Sequence, residues 1–261
     1  MNDLPLMDDV LIPAERQRCL LERVNRDGRV SSVQAATEFG VSEDTIRRDL
    51  RELAEAGLVE RVHGGALRKS QLPHRFDARL PLRQAEKAQL AAHALSLLRE
   101  GMVLLLDQST SNLMLARQLP PALGLTIVTP SPDIAVAALD RGVSDIVLIG
   151  GRLDVQSRSA TGAGALEQIA RVRPDMCFLG ACAVDVDAGI TAMEHDDACL
   201  KRAMVGASAS VVALVTADKL DTSASFAVAT FASLDHMITE AGIPEAVRQR
   251  YDCADVEIHL V

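Results

Sequence analysis

The chain has 261 residues, 48% of them hydrophobic, enough for a small domain and a larger one, each with its own core. A net charge of −9 excludes indiscriminate nucleic-acid binding. No apolar run is long enough to cross a bilayer, and the acidic stretch MNDLPLMDDVLIP lacks a signal-peptide charge pattern, so a cytoplasmic protein with no membrane partner is expected.

Residues 1 to 12 read as a frayed lead-in. Pro13 or Ala14 starts a helix over ERQRCLLERVNRDG, with Cys19, Leu20 and Val24 toward the core and Gly28 ending the run. Ser31 can cap a second helix, in which Val33, Ala36 and Phe39 recur at helical spacing before Gly40 stops it. Ser42 caps a third helix with an apolar stripe of Val41, Ile46, Leu50 and Leu53. Its opposite face carries Glu43, Asp44, Thr45, Arg47, Arg48 and Arg51. Polar groups near the N-terminus of an exposed helix suit entry into a DNA major groove, where arginine grips guanine edges or phosphates. Leu58, Val59 and Val62 then interleave with Glu60, Arg61 and His63 before a Gly64-Gly65 turn, the pattern of a small hairpin wing.

From Pro13 to Lys69 basic residues slightly outnumber acidic ones, and the rest of the chain carries the acidic excess. A locally basic module on an acidic body should bind DNA through that module alone, with strong salt dependence. Taken by itself, the third helix also fits an amphipathic surface element with solvated arginines. The whole arrangement is more specific: V-S-x-x-T-I-R-R-D-L followed by L-x-x-x-G-L-V-x-R-V-H-G-G-A resembles, without a gap, the winged helix-turn-helix of the DeoR family of bacterial sugar-operon repressors. The candidate DNA-contacting set is therefore Ser42, Glu43, Asp44, Thr45, Arg47, Arg48, Arg51, Arg61, His63, Gly64 and Gly65.

The stretch RKSQLPHRFDARLPL has no sustained periodicity and reads as an interdomain linker. The expected division is a winged helix-turn-helix domain over 13–68, a linker over 69–82 and an α/β domain over 83–261. RQAEKAQLAAHALSLLREG reads as an amphipathic helix ending at Gly101. Beyond it the apolar runs VLLLD, TIVT, DIVLIG, MCFLGA, VVALVT, FAVAT, MIT and VEIHLV alternate with helical patterns. That alternation predicts an open α/β sheet covered on both faces, with ligands bound beyond the strand carboxyl ends.

The loops there are Asp107-Gln108-Ser109-Thr110-Ser111, Thr129-Pro130-Ser131, Gly150-Gly151-Arg152, Thr161-Gly162, the helix bearing Lys201, and Asp218-Lys219. Hydroxyls and amides at a helix N-terminus suit phosphate, although Thr110 or Ser111 could equally be an ordinary cap. Together these loops resemble the effector domain of DeoR regulators, a fold similar to ribose-5-phosphate isomerase and the CoA-transferases. The resemblance implies a phosphorylated sugar or related metabolite as effector. Its candidate ligands are Asp107, Ser109, Thr110, Ser111, Thr129, Ser131, Gly150, Gly151, Arg152, Thr161, Gly162, Lys201, Asp218 and Lys219. Pro130 replaces the asparagine usual in the second loop, so the family's sugar preference does not carry over; Lys201 and Lys219 could each pair with phosphate.

His195, Asp196 and Asp197 point in different directions on a helix and make a poor metal site, and Gly162-Ala163-Gly164 does not complete a dinucleotide fingerprint. Cys19, Cys177, Cys182, Cys199 and Cys253 are odd in number and scattered, which predicts no disulfide framework; Cys177 and Cys182 read as core residues. The expected protein is a repressor without cofactor, metal or catalytic residues, binding double-stranded operator DNA as a homodimer or homotetramer. The alternative is a sugar-phosphate isomerase-like enzyme with an appended DNA domain, using Asp107, Glu194, Asp218 and Lys201.

Overall fold

The computed structural model describes residues 11–252 and 255–261; most of the expected lead-in, and Cys253, lie outside them. The chain divides into two compact units, one ending at Lys69 and the other beginning at Ser70.

In the first unit, Pro13 opens helix α1 (Pro13–Asp27) and Gly28 closes it in the left-handed region at φ 81°. Strand β1 (Arg29–Ser31) runs into α2 (Ser32–Phe39), where Ser31 caps by accepting from the Gln34 amide. The buried face of α2 is Ser32, Ala35 and Ala36, not the expected stripe through Val33, which is 58% exposed. At 3.6 residues per turn Val33 falls well round the helix from the small pair that packs inward. Helix α3 (Glu43–Glu55) is capped by Ser42, whose hydroxyl accepts from the Thr45 amide at 3.2 Å. Val41 precedes α3 rather than belonging to its stripe, and packs half-buried on the same core as Ile46, Leu50 and Leu53.

Strands β2 (Glu60–Val62) and β3 (Gly65–Lys69) form the wing, and β1 pairs with the other edge of β3. Gly65 sits opposite Ser31, where a Cβ would lie 1.9 Å from the Val30 carbonyl oxygen, so only glycine allows this pairing. The core joins Leu20 and Val24 of α1 to Ile46 and Leu50 of α3 and to Val59 and Ala66 of the wing. Beside it, Arg16 of α1 makes a two-pronged ion pair with Asp49 of α3, both buried, with Nη2 donating at 3.2 Å. This pair fixes α3 against α1.

The second unit starts with the segment expected to be a linker. Its structure is a strap rather than slack chain: the Ser70 amide donates to the Ser223 carbonyl, the Phe76 amide donates to Gln156, and Phe76 on helix α4 (Phe76–Arg79) is buried in the core. The anchoring aromatic is isolated, so no periodicity announces it. Helix α5 (Gln84–Ala94) ends before Gly101, tightening into a short 3-10 turn at Leu95–Leu97.

Strands and helices then alternate: β4 (Val103–Leu106), α6 (Thr110–Ala116), β5 (Thr126–Thr129), α7 (Pro132–Asp140) and β6 (Asp145–Leu148). A hairpin of β7 (Arg152–Asp154) and β8 (Ser159–Thr161) precedes α8 (Ala163–Ala170) and β9 (Met176–Leu179). Next come β10 (Ala183–Asp185), β11 (Gly189–Ala192), α9 (His195–Ala207), β12 (Val211–Leu214), the two-residue β13 (Thr222–Ser223) and β14 (Phe226–Ala229). Last are β15 (His236–Thr239), α10 (Glu245–Tyr251) and β16 (Glu257–Leu260).

Seven strands form one parallel sheet in the order β16-β15-β12-β9-β4-β5-β6. Helices α5, α6 and α7 cover one face, and α8, α9 and α10 the other. A smaller antiparallel sheet, β10-β11-β14, packs into the second core. Coverage fails at one edge. Val147 and Leu148 of β6 are 44% and 49% exposed, because β6 has a neighbour on one side only.

Replacing Asp49 by Ala leaves the Arg16 guanidinium buried without its partner and should lower the stability of the first unit by about 3–5 kcal/mol. Thermal unfolding followed by circular dichroism checks this; a loss below about 1 kcal/mol would show that the pair does not hold α3 in place.

Candidate functional site

The chain order reverses between β4 and β9: from β4 the sheet grows through β5 to β6, and from β9 through β12 and β15 to β16. In an open α/β sheet the loops part at such a point and leave a crevice beyond the strand carboxyl ends. A cavity of about 360 Å³ lies there, a volume suited to a small ligand. It is lined by Gln108, Ser109 and Thr110 after β4, by Gly180, Ala181 and Cys182 after β9, and by Thr216, Asp218 and Lys219 after β12.

Its floor is tied by Asp107, which is fully buried. One carboxylate oxygen accepts from the Ser109 amide at 2.9 Å and from Asn112 Nδ2 at 2.8 Å. The other accepts from the Gly180 amide at 2.6 Å and lies 3.1 Å from Lys201 Nζ. Lys201 also donates to Asp197 at 2.7 Å, and Gln108 donates to that same carboxylate. Burial works against the Lys201 charge, but Asp107 and Asp197 outweigh it and hold the ammonium above the ordinary lysine range. Gly180 has no room for a side chain: a Cβ would stand 2.2 Å from that of Ser109. Lys201 is thus committed to two carboxylates, unlike the phosphate partner expected of it.

The cations left over are elsewhere. Among the described residues, Arg79 of α4, Lys87 of α5 and Lys219 have no carboxylate within ion-pair distance, and all three line the cavity. Lys87 Nζ donates to the Arg79 carbonyl at 2.8 Å. Burial, with the Lys219 charge nearby, pushes the Lys87 ammonium down to about 8. Burial likewise lowers Lys219. Arg83 is engaged, with Glu240, with Asp218 at 3.6 Å and with Glu86 at 3.3 Å. The result is a confined group of positive charges that no carboxylate touches, although the Asp218 charge acts on both lysines from nearby, next to hydroxyls and to Gln108, whose buried Oε1 has no hydrogen-bond donor. Such a pocket receives a small anion that also carries hydroxyls.

Of the expected effector residues, the cavity gathers Ser109, Thr110, Arg152, Thr161, Lys201, Asp218 and Lys219. The others fall outside its lining. Asp107 lies beneath the floor; Ser111 is buried on α6; Thr129 and Ser131 point inward, with Thr129 Oγ1 donating to the Leu106 carbonyl and accepting from the Ser131 amide. Pro130 therefore sits away from the cavity, its carbonyl paired with Ala160. Gly150 is held by Gln168, and Gly151 packs on Thr161. Gly162 caps α8. The cap of α6 is Ser109, one residue before the expected Thr110 or Ser111. Arg79 and Lys87 were missed: two isolated basic residues, eight positions apart on either side of Leu80-Pro81, are too faint a signal to find them.

In the first unit, α3 presents Asp44, Arg47, Arg48 and Arg51 to solvent beside the half-buried Glu43 and Thr45, and the wing presents Arg61, His63 and Gly64. Arg47 pairs with Glu43 at 2.7 Å and Arg48 with Glu52 at 3.3 Å, exposed pairs that exchange easily for phosphate. Ser42 and Thr45 share a hydroxyl–hydroxyl bond of 2.9 Å. Gly65 is buried and serves the β1–β3 pairing.

Residues 16–71 match the family model described as the DeoR-like helix-turn-helix domain, and residues 82–241 that of the DeoR C terminal sensor domain. The HTH-type transcriptional regulator GlpR of Haloferax volcanii is 32% identical over 95% of this chain and 98% of its own. The glycerol-3-phosphate regulon repressor of Escherichia coli is 30% identical over 94% of this chain and 98% of its own. The transcriptional repressor AccR of Agrobacterium fabrum is 32% identical over 92% and 97%. Among solved structures, ribose 5-phosphate isomerase A of Methanocaldococcus jannaschii overlaps 51% of this chain and 53% of its own at a TM-score of 0.35 and 19% identity.

Lys87 costs the folded protein stability. Its folded pKa of about 8 lies below the ordinary lysine value, so the unfolded chain binds more protons between the two values. Stability should therefore rise with pH through that window, and the penalty is complete below about pH 8. Lys87→Met should accordingly raise stability at pH 7 by about 1 kcal/mol, read as an upward shift in Tm, and flatten the alkaline rise.

Proposed function

The chain belongs to the DeoR family of regulators, and on that premise we propose that it is a DNA-binding transcriptional repressor of a carbohydrate-metabolism operon whose second unit receives a phosphorylated sugar or a close relative. The observation that carries the effector reading is the trio Arg79, Lys87 and Lys219, converging on one cavity with no carboxylate within ion-pair distance of any of them. A phosphate there would supply a direct counter-charge. The ligand's hydroxyls would meet Gln108 Oε1, Ser109, Thr110 and Thr216. Recognition of operator DNA rests with the exposed face of α3 and with the wing, where Arg47, Arg48, Arg51 and Arg61 offer base and phosphate contacts.

Binding rather than turnover is the reading we favour. Asp107, one of the carboxylates considered for acid–base work, has both oxygens occupied by three donors and the Lys201 ammonium. Glu194 is paired with His74 at 2.9 Å and Asp218 with Arg83. Asp107 so committed has no lone pair ready to take a substrate proton, and the other two carboxylates each have a basic side chain as a first neighbour.

We further assign self-association to the β6 edge. Val147 and Leu148 on the strand, with Val136 and Leu139 on the α7 helix packed beside it, are large, apolar and exposed. A second copy covering this edge would complete a dimer, and two recognition helices would give the operator selectivity that one short helix lacks.

The effector reading is tested by titrating a panel of sugar phosphates into the protein bound to its own upstream DNA at fixed salt. One compound should weaken specific binding, and its affinity should fall as pH rises through about 8, where Lys87 loses its proton. The Lys87→Gln variant should bind at least ten-fold more weakly and lose that pH dependence. Operator binding unaffected by Arg47→Ala and Arg48→Ala together would displace the proposed recognition face.

For the oligomer, Leu148→Lys combined with Leu139→Lys should shift sedimentation toward the monomer. Unchanged sedimentation would move the interface elsewhere.

A further inference from the structure

Far along the sheet from the switch point, at the opposite edge, three histidines and a glutamate meet. His236 opens β15, and Glu257 opens β16 as its direct partner in the parallel register. His259 lies two residues on, so strand periodicity returns its side chain to the face of Glu257. His93 reaches the group from α5. The approaches are close: His236 Nδ1 to His259 Nε2 is 3.1 Å, His236 Nδ1 to a Glu257 oxygen is 3.2 Å, and His259 Nε2 to the other Glu257 oxygen is 3.7 Å.

We propose that His236, His259 and Glu257 form a binding site for one divalent transition-metal ion of the zinc type, with His93 orienting His259 from behind. For a tetrahedral ion with ligands at about 2.0–2.1 Å, neighbouring ligand atoms stand about 3.3 Å apart. The nitrogen–nitrogen separation of 3.1 Å and the 3.2 Å from His236 Nδ1 to one Glu257 oxygen lie close to that edge, and the other Glu257 oxygen stands 3.7 Å from His259 Nε2. All the candidate ligand atoms lie within 4.8 Å of one another, so a small side-chain adjustment closes a common centre.

The rest of the cluster supports the same assignment. His259 has Nδ1 3.1 Å from His93 Nε2, which leaves Nε2 as the nitrogen facing His236 and Glu257. A histidine whose far nitrogen donates to a neighbour while the near one faces the ligand group is the usual arrangement around a bound metal. His259 is largely buried and sits between two other imidazoles. Glu257 is 66% exposed on its side chain, which gives the ion a route in and leaves a fourth position for water. Imidazole with one carboxylate selects zinc, nickel or iron over magnesium or calcium. An ion there would clamp β16, the edge strand, to β15. The site is separate from the effector cavity and its test does not depend on that reading.

The test uses the full chain without a polyhistidine tag, kept reduced with a non-chelating phosphine, and Zn2+ alone as the probe. Competition with a chromogenic chelator should give one tight ion per chain. His259→Ala and His236→Ala should each weaken it at least 100-fold, and His93→Ala by about ten-fold or more, as removal of an outer partner does. X-ray absorption on the wild-type complex should show nitrogen and oxygen ligands with imidazole scattering, a readout that stands even where a variant fails to fold. Sulfur in the shell would place the ion on cysteines and overturn the proposal. So would the absence of stoichiometric binding, or affinity unchanged in a folded His236→Ala/His259→Ala double variant.

Discussion

Asp107 is the residue on which the second unit turns. A sheet whose connections run outward in both directions from β4 and β9 has its loops pulled apart at that junction, and something must bridge the gap. A carboxylate is well suited, because its two oxygens accept from several donors at once. Here it gathers two backbone amides, one from each side of the gap, a side-chain amide from α6 and the ammonium of Lys201 from α9. Burying a charge so deeply costs far more than a single hydrogen bond returns, and only this many charge-assisted bonds together offset it. Gly180 follows from the same constraint, since the Asp107–amide bond brings the loop after β9 within contact of Ser109.

Because Asp107 and Asp197 claim Lys201, the cavity's receptive charge shifts to Lys87, Lys219 and Arg79. The contrast is instructive: two lysines of one cavity are perturbed in opposite directions, Lys201 upward by its carboxylates and Lys87 downward by burial and a like charge. The first is a structural element of the apo protein. The second lowers stability, and in the proposed function an arriving anion would offset that cost, so binding and stabilisation would come from the same contact.

How far the sequence reveals this depends on the length of the signal. The alternation of apolar strands with helical patterns persists from Met102 to Leu260 and makes the parallel sheet legible, and the Ser42-to-Ala66 motif makes α3 and the wing legible. Single residues are not legible in that way. Phe76 anchors a strap with no periodicity to advertise it, and Arg79 rides on the same short helix. Thr129 and Ser131 look like ligands because they follow a strand, yet their hydroxyls are turned inward toward backbone partners or core. Nothing in R-R-D-L marks Asp49 as the buried partner of Arg16, 33 residues earlier. The three proposed metal ligands come from two strands whose adjacency only the register reveals.

Regulation asks for more than affinity. A ligand shifts an equilibrium only by the difference between its affinities for the two states, and moving a population from about 1:99 to 99:1 takes about 5.5 kcal/mol of such difference. Hydroxyl contacts alone are hard pressed to supply that, since a hydrogen bond exchanged with water nets about 1 kcal/mol. Neutralising confined, desolvated like charges is a larger lever, because the repulsion it relieves exists only where Arg79, Lys87 and Lys219 are held together. A conformation in which α5 or the strap carrying Arg79 relaxes would lose both the repulsion and the anion site. On the proposed site, an effector with phosphate would favour the gathered arrangement and an unphosphorylated sugar of the same shape would not, and phosphorylation itself would be the signal that is read.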